Sequence, residues 1–254
     1  MTVMSHGRHR VLGLKLDILP LRGWRRVRPI SLRRGAPVVV MFLWVIRLCA
    51  VECREVRLDL PWPPNQVRAH RFVVYDVFDP PEVSFDQHVV RVVGLVERPL
   101  ELPLKELAAR YPCVDVVAPF HCVTGWSVER VVWRGVQTKV LLEEARPFGR
   151  FALAWGVDGY SATLPLEALM EEGSVIAWAM NGEPLPRKHG APARLVVPTR
   201  YAWKSVKYFG TLEVLEDAVP GYWEAVGYSV NGDPWREERF DFGRPQMRGR
   251  RVSL

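Results

Sequence analysis

From Arg71 onward, short runs rich in valine and aromatic residues alternate with short amphipathic stretches, the pattern of a chain built mostly from strands. Such runs at Arg71–Val77, Val89–Leu95, Val114–Val117, Phe151–Val157, Val175–Met180, Arg194–Val197 and Val206–Leu215 predict seven strands. Apolar residues at helical spacing predict three short helices over Leu104–Arg110, Thr138–Ala145 and Leu166–Glu172. Thr138 reads as an N-cap and Pro165 as a first-turn proline. The dipeptides Asp158-Gly159, Asn181-Gly182 and Asn231-Gly232 accept positive φ and predict tight turns. Seven strands with three short helices predict a mixed α+β domain rather than a doubly wound sheet. The sequence holds no G-x-G-x-x-G and no P-loop, so nucleotide-binding folds lack their phosphate cradle here.

The first 57 residues follow a different pattern. An Arg-rich beginning leads into the uncharged run 36–46, closed by Arg47. A spanning helix needs roughly 20 apolar residues, so this run is too short to cross a bilayer. Its length suits a signal-peptide h-region, and Arg33-Arg34 before it resembles a twin-arginine signal. No clear A-x-A site follows. The division expected is an N-terminal extension over 1–57 and a folded domain over 58–254. The expected location is the cytoplasm, with export or membrane association through residues 33–46 as the alternative. Residues 216–254 read as loop and end in the basic tail Arg244, Arg248, Arg250 and Arg251.

Charge matters only through where it sits. Of the formal net charge of +7, residues 1–57 carry +9, with 12 Lys/Arg against three acids, which leaves the remaining 197 residues at −2. A body so nearly neutral has no broad footprint for a phosphate backbone, so no nucleic-acid partner is expected. Four Cys in 254 residues are too few for a disulfide scaffold, and no CxxC or paired Cys/His spacing suggests zinc or haem.

Two clusters carry candidate chemistry. In the first, Pro119-Phe120-His121-Cys122-Val123-Thr124-Gly125-Trp126, a cysteine follows a strand run. Cys122 has three readings: a buried structural thiol, a nucleophile, or a metal ligand whose other donors come from a cofactor. Neighbours on a strand face opposite ways, so His121 is poorly placed as its base. The second cluster runs from His189 through Arg194 to Tyr201, Lys204, Ser205 and Lys207. Arg offers phosphate a planar fork and Lys a point charge, so Lys204 and Lys207 beside Ser205 suggest a phosphate nest. A solvated hairpin face is the plainer reading. For an oxyanion substrate, His121, Arg130 and Tyr201 are further candidates.

Together these clusters resemble the sulfite oxidase family of molybdopterin-dependent oxidoreductases, and most of all its small prokaryotic members built of the cofactor domain alone. The likeness rests on FHCVTGWSVERVVWRGV (120–136), DGYSATLPLEAL (158–169), NGEPLPRKHGAPARLVVPTRYAWKSVK (181–207) and PGYWEAVGYSVNGDPWREER (220–239), with the looser GLVERPLELPLKEL (94–107). It implies the family's molybdopterin-binding domain, of mixed β-sheets with short helices. It implies Cys122 as the thiolate ligand of molybdenum and as the catalytic residue. The cofactor-binding set it implies is His121, Cys122, His189, Arg194, Ser205, Val206 and Lys207.

The expected activity is two-electron oxygen-atom transfer at a mononuclear molybdenum–molybdopterin centre. The substrate would be a small oxyanion or sulfoxide-like molecule. No cytochrome-type haem motif is present, so electrons would pass to a separate carrier such as a cytochrome or quinone. Two alternatives stand beside this: a non-catalytic pterin-binding module, and a Cys-dependent hydrolase.

Overall fold

A computed structural model describes residues 52–241 of the chain. The uncharged run 36–46, Arg33-Arg34 and the basic tail lie outside the described residues. Among the described residues no helix is long and apolar enough to cross a membrane.

Two sheets share the core. One has seven strands: β1 (Arg54–Arg57), β2 (Val67–Arg68), β5 (Cys113–His121), β6 (Trp126–Gln137), β9 (Val175–Met180), β10 (Glu183–Pro184) and β11 (Arg194–Val196). The path is β1-β5-β6-β9-β10, with β2 on β6 and β11 on β9. The other sheet runs β4-β3-β12-β7-β8, from β3 (Val89–Gly94), β4 (Leu100–Pro103), β7 (Phe151–Gly156), β8 (Ser161–Pro165) and β12 (Phe209–Leu215). Helices α1 (Leu104–Arg110), α2 (Thr138–Ala145) and α3 (Leu166–Met170) follow β4, β6 and β8. The mixed α+β class expected from the sequence is the one observed.

The apolar run of β9 shows why the large sheet sits inside. Ile176 and Trp178 face one core cluster while Val175 and Ala177 face the other, so both faces of the strand are covered. Leu104 and Leu107 of α1 are fully buried in the first cluster, each contributing about 1.5–3 kcal/mol.

Four differences from the sequence reading have physical causes. First, β6 is the longest strand, although its charges at Glu129, Arg130 and Arg134 hide it from a hydropathy pattern. Those charges sit on the accessible side, and Arg134 pairs with Asp115 of β5 at 2.6 Å. Second, residues 71–77 form no strand and pair with none among the described residues. Phe72 is spent instead on packing against Phe120, Trp126 and Trp133. Third, the boundary at 57/58 falls inside the fold: β1 pairs parallel with β5, and Cys53 is disulfide-bonded to Cys113. The basic residues Arg54 and Arg57 made this segment look like extension, yet only Val56 between them is buried. Fourth, Thr138 is the first helical residue rather than the cap, and its hydroxyl donates to the Leu169 carbonyl.

Two of the three expected turns close hairpins, Asp158-Gly159 between β7 and β8 and Asn181-Gly182 between β9 and β10, while Asn231-Gly232 is a bend outside any hairpin. Asn181 (φ 53°) and Gly182 (φ 82°) close the β9–β10 hairpin with both central residues left-handed, the conformation that Asn-Gly favours.

Candidate functional site

Strands β5 and β6 make one long antiparallel hairpin, and the turn between them holds Cys122. The Cys122 amide donates to the Trp126 carbonyl (2.8 Å), and its own carbonyl accepts from the Gly125 amide (3.1 Å). Gly125 takes φ 94°, which lets the chain reverse within four residues. The thiol is 6% exposed and its only hydrogen-bonding neighbour among the described residues is Thr124 Oγ1, at 3.2 Å.

That thiol lines a cavity of about 460 Å³, a size that suits a cofactor-sized ligand. The second wall is the stretch from Lys188 to Lys207, in which β11 is flanked by single 3-10 turns at Arg187–His189 and Ala202–Lys204. Residues 72–77, the Asp158–Tyr160 turn and the aromatic rings of Trp203, Trp223 and Tyr228 complete it. Cys122, His189, Arg194, Ser205 and Lys207, singled out from the sequence, therefore meet in one cavity.

Arg194 is the dominant charge. Its guanidinium is 6% exposed, donates from Nη1 to the His189 carbonyl (3.1 Å) and lies 4.9 Å over the Phe120 ring. Its Nε has no partner, and no carboxylate of the described residues forms an ion pair with it. Burial pulls its pKa down to about 10, so it stays charged at neutral pH. A buried cation without a counter-ion is costly unless a bound anion completes it. Trp126 Nε1 is a second buried donor without a partner, on the cavity's first wall.

Lys207 reaches the same space. Its ammonium donates to Asp76, to the Tyr75 carbonyl (2.6 Å) and to the Lys188 carbonyl (3.4 Å). Burial lowers its pKa and Asp76 raises it. Gly190 at φ 107° makes this possible, because a Cβ there would come within 2.9 Å of Lys207 Cβ. The Ser205 hydroxyl accepts from the Val197 amide (3.0 Å), which fixes the start of the Ser205–Lys207 turn.

Other candidates fall elsewhere. Lys204 is fully buried and donates to Glu224 (2.6 Å), the Thr163 carbonyl (2.6 Å) and the Val230 carbonyl (2.7 Å). It is a neutralised staple and takes no part in a phosphate nest. Val206 turns its side chain into the apolar core. His121 does not line the cavity: it faces the other way from Phe120, between the rings of Trp62 and Trp235 at 5.9 and 5.5 Å. Arg130 lies in a small cleft with Arg57 and Asp59, and Tyr201 is buried beneath Arg239 and stacked on Trp203. Sequence reasoning missed Asp76, Asp158 and Tyr160. Tyr160 donates to the Trp203 carbonyl at 2.7 Å, and burial raises its pKa well above the ordinary value. Only the turn dipeptide beside them hinted at this wall.

Among the described residues, no group of three or more His, Cys, Asp or Glu is arranged to hold a metal ion. A metal at Cys122 therefore needs most of its donors from a cofactor.

Comparison with known proteins places this architecture. Residues 77–223 match the family model described as oxidoreductase molybdopterin binding domain. The uncharacterized oxidoreductase YuiH of Bacillus subtilis is 36% identical over 70% of this chain and 91% of that protein. The protein-methionine-sulfoxide reductase catalytic subunit of Gluconobacter oxydans is 26% identical over 57% of this chain. The match covers 54% of that subunit, so the chain spans about half its length. Among solved structures, the sulfane dehydrogenase SoxCD of Paracoccus pantotrophus superposes with a TM-score of 0.50 at 29% identity, covering 55% of this chain and 41% of that one.

Proposed function

The chain belongs to the family of oxidoreductases built on a molybdopterin-binding domain, and from that membership we propose that it transfers an oxygen atom and two electrons at the cavity lined by Cys122. It is a molybdopterin-dependent oxidoreductase whose cofactor is molybdenum–molybdopterin. The finer reading is a small oxyanion or sulfoxide-like substrate and a separate electron carrier. The relatives named for methionine sulfoxide and sulfane chemistry support a sulfur-centred substrate.

One observation carries the proposal: a buried thiol and a buried guanidinium without a counter-ion face the same cavity. The residues present fit the group. Arg194 Nε and Trp126 Nε1 are donors without partners, Lys207 lies at the same cavity paired with Asp76, and Cys122 offers a soft, electron-donating ligand. When bound, the cofactor supplies the redox range that no side chain has. The chain's part is to hold and orient it. Arg194 would take its phosphate, with Lys207 beside it once drawn from Asp76; His189 and Ser205 would border that charge, and Cys122 Sγ would hold the metal. The aromatic wall of Phe72, Trp203, Trp223 and Tyr228 keeps water from the reacting atoms.

The hydrolase alternative finds no support in the geometry. A nucleophilic thiol needs a base within hydrogen-bond reach, and Cys122 Sγ has only the Thr124 hydroxyl beside it among the described residues.

The test is the content and turnover of full-length protein from a host able to make the cofactor. The reading expects about one molybdenum and one pterin per chain, with turnover of a sulfoxide or sulfite against a redox dye. Protein free of both from such a host overturns it.

A further inference from the structure

Behind Cys122, on the side away from the cavity, three polar side chains form a buried chain that returns to the cysteine's own peptide. His121 and Ser127 are opposite one another across the β5–β6 hairpin, with Nδ1 and Oγ 2.7 Å apart. Ser127 Oγ donates to Gln66 Oε1 at 2.9 Å, and Gln66 Nε2 donates to the Cys122 carbonyl at 3.3 Å. Each of these side chains is buried, Gln66 at 9%, His121 at 1% and Ser127 at 0%. The donor order is forced. A hydroxyl has one hydrogen, and Ser127 spends it on Gln66, so His121 Nδ1 must carry the proton it shares with Ser127. His121 is therefore the neutral Nδ1–H tautomer, and its Nε2 has no hydrogen-bond partner.

Because His121 and Cys122 are joined by a peptide bond, the chain His121–Ser127–Gln66–Cys122 closes on itself. A ring of this kind restrains the turn, since rotating the Cys122 carbonyl away from Gln66 gives up a buried hydrogen bond. Two other bonds reach the turn from outside the hairpin, the Val67 amide to the Gly125 carbonyl (2.8 Å) and Arg239 Nη1 to the Val123 carbonyl, but neither holds the Cys122 peptide itself. Gln66 reaches in from 56 residues away and ties the turn to the segment before β2.

We propose that Gln66, Ser127 and His121 act as positioning residues that set the direction in which Cys122 presents its sulfur. This rests on the reading of Cys122 as the metal's thiolate ligand. None of the three lines the cavity, so their effect reaches it through the backbone of the hairpin at Cys122.

The test compares the Mo(V) electron paramagnetic resonance signal of the holoenzyme with those of Gln66→Met, Ser127→Ala and the double variant, with Cys122→Ser as reference. Gln66→Met keeps the length of the side chain and removes both bonds. Ser127→Ala leaves Gln66 in place but unanchored, and it serves if Gln66→Met fails to fold. Both singles are expected to keep molybdenum and pterin, to lose no more than about 4 °C in Tm, and to shift the g-values and sulfur-dependent anisotropy of the signal. The double variant is expected to shift it no further than the larger single, because links of one chain are not additive. Unchanged signals in Gln66→Met and Ser127→Ala beside a changed Cys122→Ser overturn the positioning role and leave the ligand reading standing. Unchanged signals in all variants, Cys122→Ser included, overturn both.

Discussion

Arg194 donates from Nη2 to the Ser205 carbonyl at 3.2 Å, across 11 residues of chain, and meets no carboxylate of the described residues while 6% exposed. This pairing draws β11 and the Ser205–Lys207 turn together on one wall of the cavity. It leaves the guanidinium with a full charge and an unpartnered Nε. A side chain so arranged is built to receive an anion.

Arg194→Ala is accordingly expected to lose cofactor rather than chemistry. Each charge-assisted bond lost from a buried site costs about 1.5–3 kcal/mol, or roughly 10- to 150-fold in affinity. Pterin fluorescence of the denatured protein is expected to fall, while the molecules still loaded turn over nearly as wild type. Full loading with lost turnover would move Arg194 to the substrate.

Lys204 and Lys207 stand three residues apart and are expected to fail in different ways. Lys204→Met leaves Glu224 charged and unpaired in the core, and breaking a buried pair costs about 3–5 kcal/mol. Its signature is a lowered Tm in the cofactor-free protein. Lys207→Met removes a cation from the cavity and lowers pterin content with a smaller change in Tm. Equal pterin loss in both at unchanged Tm would return Lys204 to the phosphate site.

Six of the seven expected strands, the three helices and the Cys122 and Arg194 clusters were legible in the sequence because each rests on a local signal: hydropathy period, a turn dipeptide, a short motif. What was hidden depends on long-range partners. Residues 126–137 carry three charges that look like loop until Asp115 and the open face of the sheet account for them. Residues 71–77 have the composition of a strand, yet the partner waiting for Phe72 is a cluster of rings and not a ladder. Lys204 and Lys207 look equivalent in sequence, and only Glu224 and Asp76 tell them apart. Gln66 carries no motif, and its role exists only once β5 and β6 have paired.

The Cys53–Cys113 disulfide closes a separation of 60 residues and pins β1 to the edge of the large sheet. Opening a loop of that length costs about 4 kcal/mol, so Cys53→Ser is expected to lower Tm markedly and leave molybdenum content unchanged. Peptide mapping of alkylated protein from its native cells is expected to recover the two cysteines linked. Recovery of both as free thiols would contradict the bond.

His88 gives the fold an acid limit. It is 1% exposed with Nε2 at 2.6 Å from the Phe209 carbonyl, so the neutral ring donates there, and burial lowers its pKa below 6.5. Well above pH 6.5 neither the folded nor the unfolded state protonates it, and its contribution is constant. As pH falls below 6.5 the unfolded state takes up the proton first, so stability declines. His88→Gln is expected to flatten the fall of Tm between about pH 6.5 and 5; an unchanged slope would assign that fall to other groups.

The account stands on Cys122 as the sulfur that completes the metal site, and molybdenum K-edge X-ray absorption reads that bond directly. Wild-type holoenzyme is expected to show about three sulfur neighbours, two from the cofactor's dithiolene and one from Cys122. Cys122→Ser should bind pterin normally through Arg194 and Lys207, show about two sulfurs with an added light-atom neighbour, and lose almost all turnover. A sulfur count identical in the two proteins, with turnover retained, would contradict the assignment of Cys122 and the account built on it.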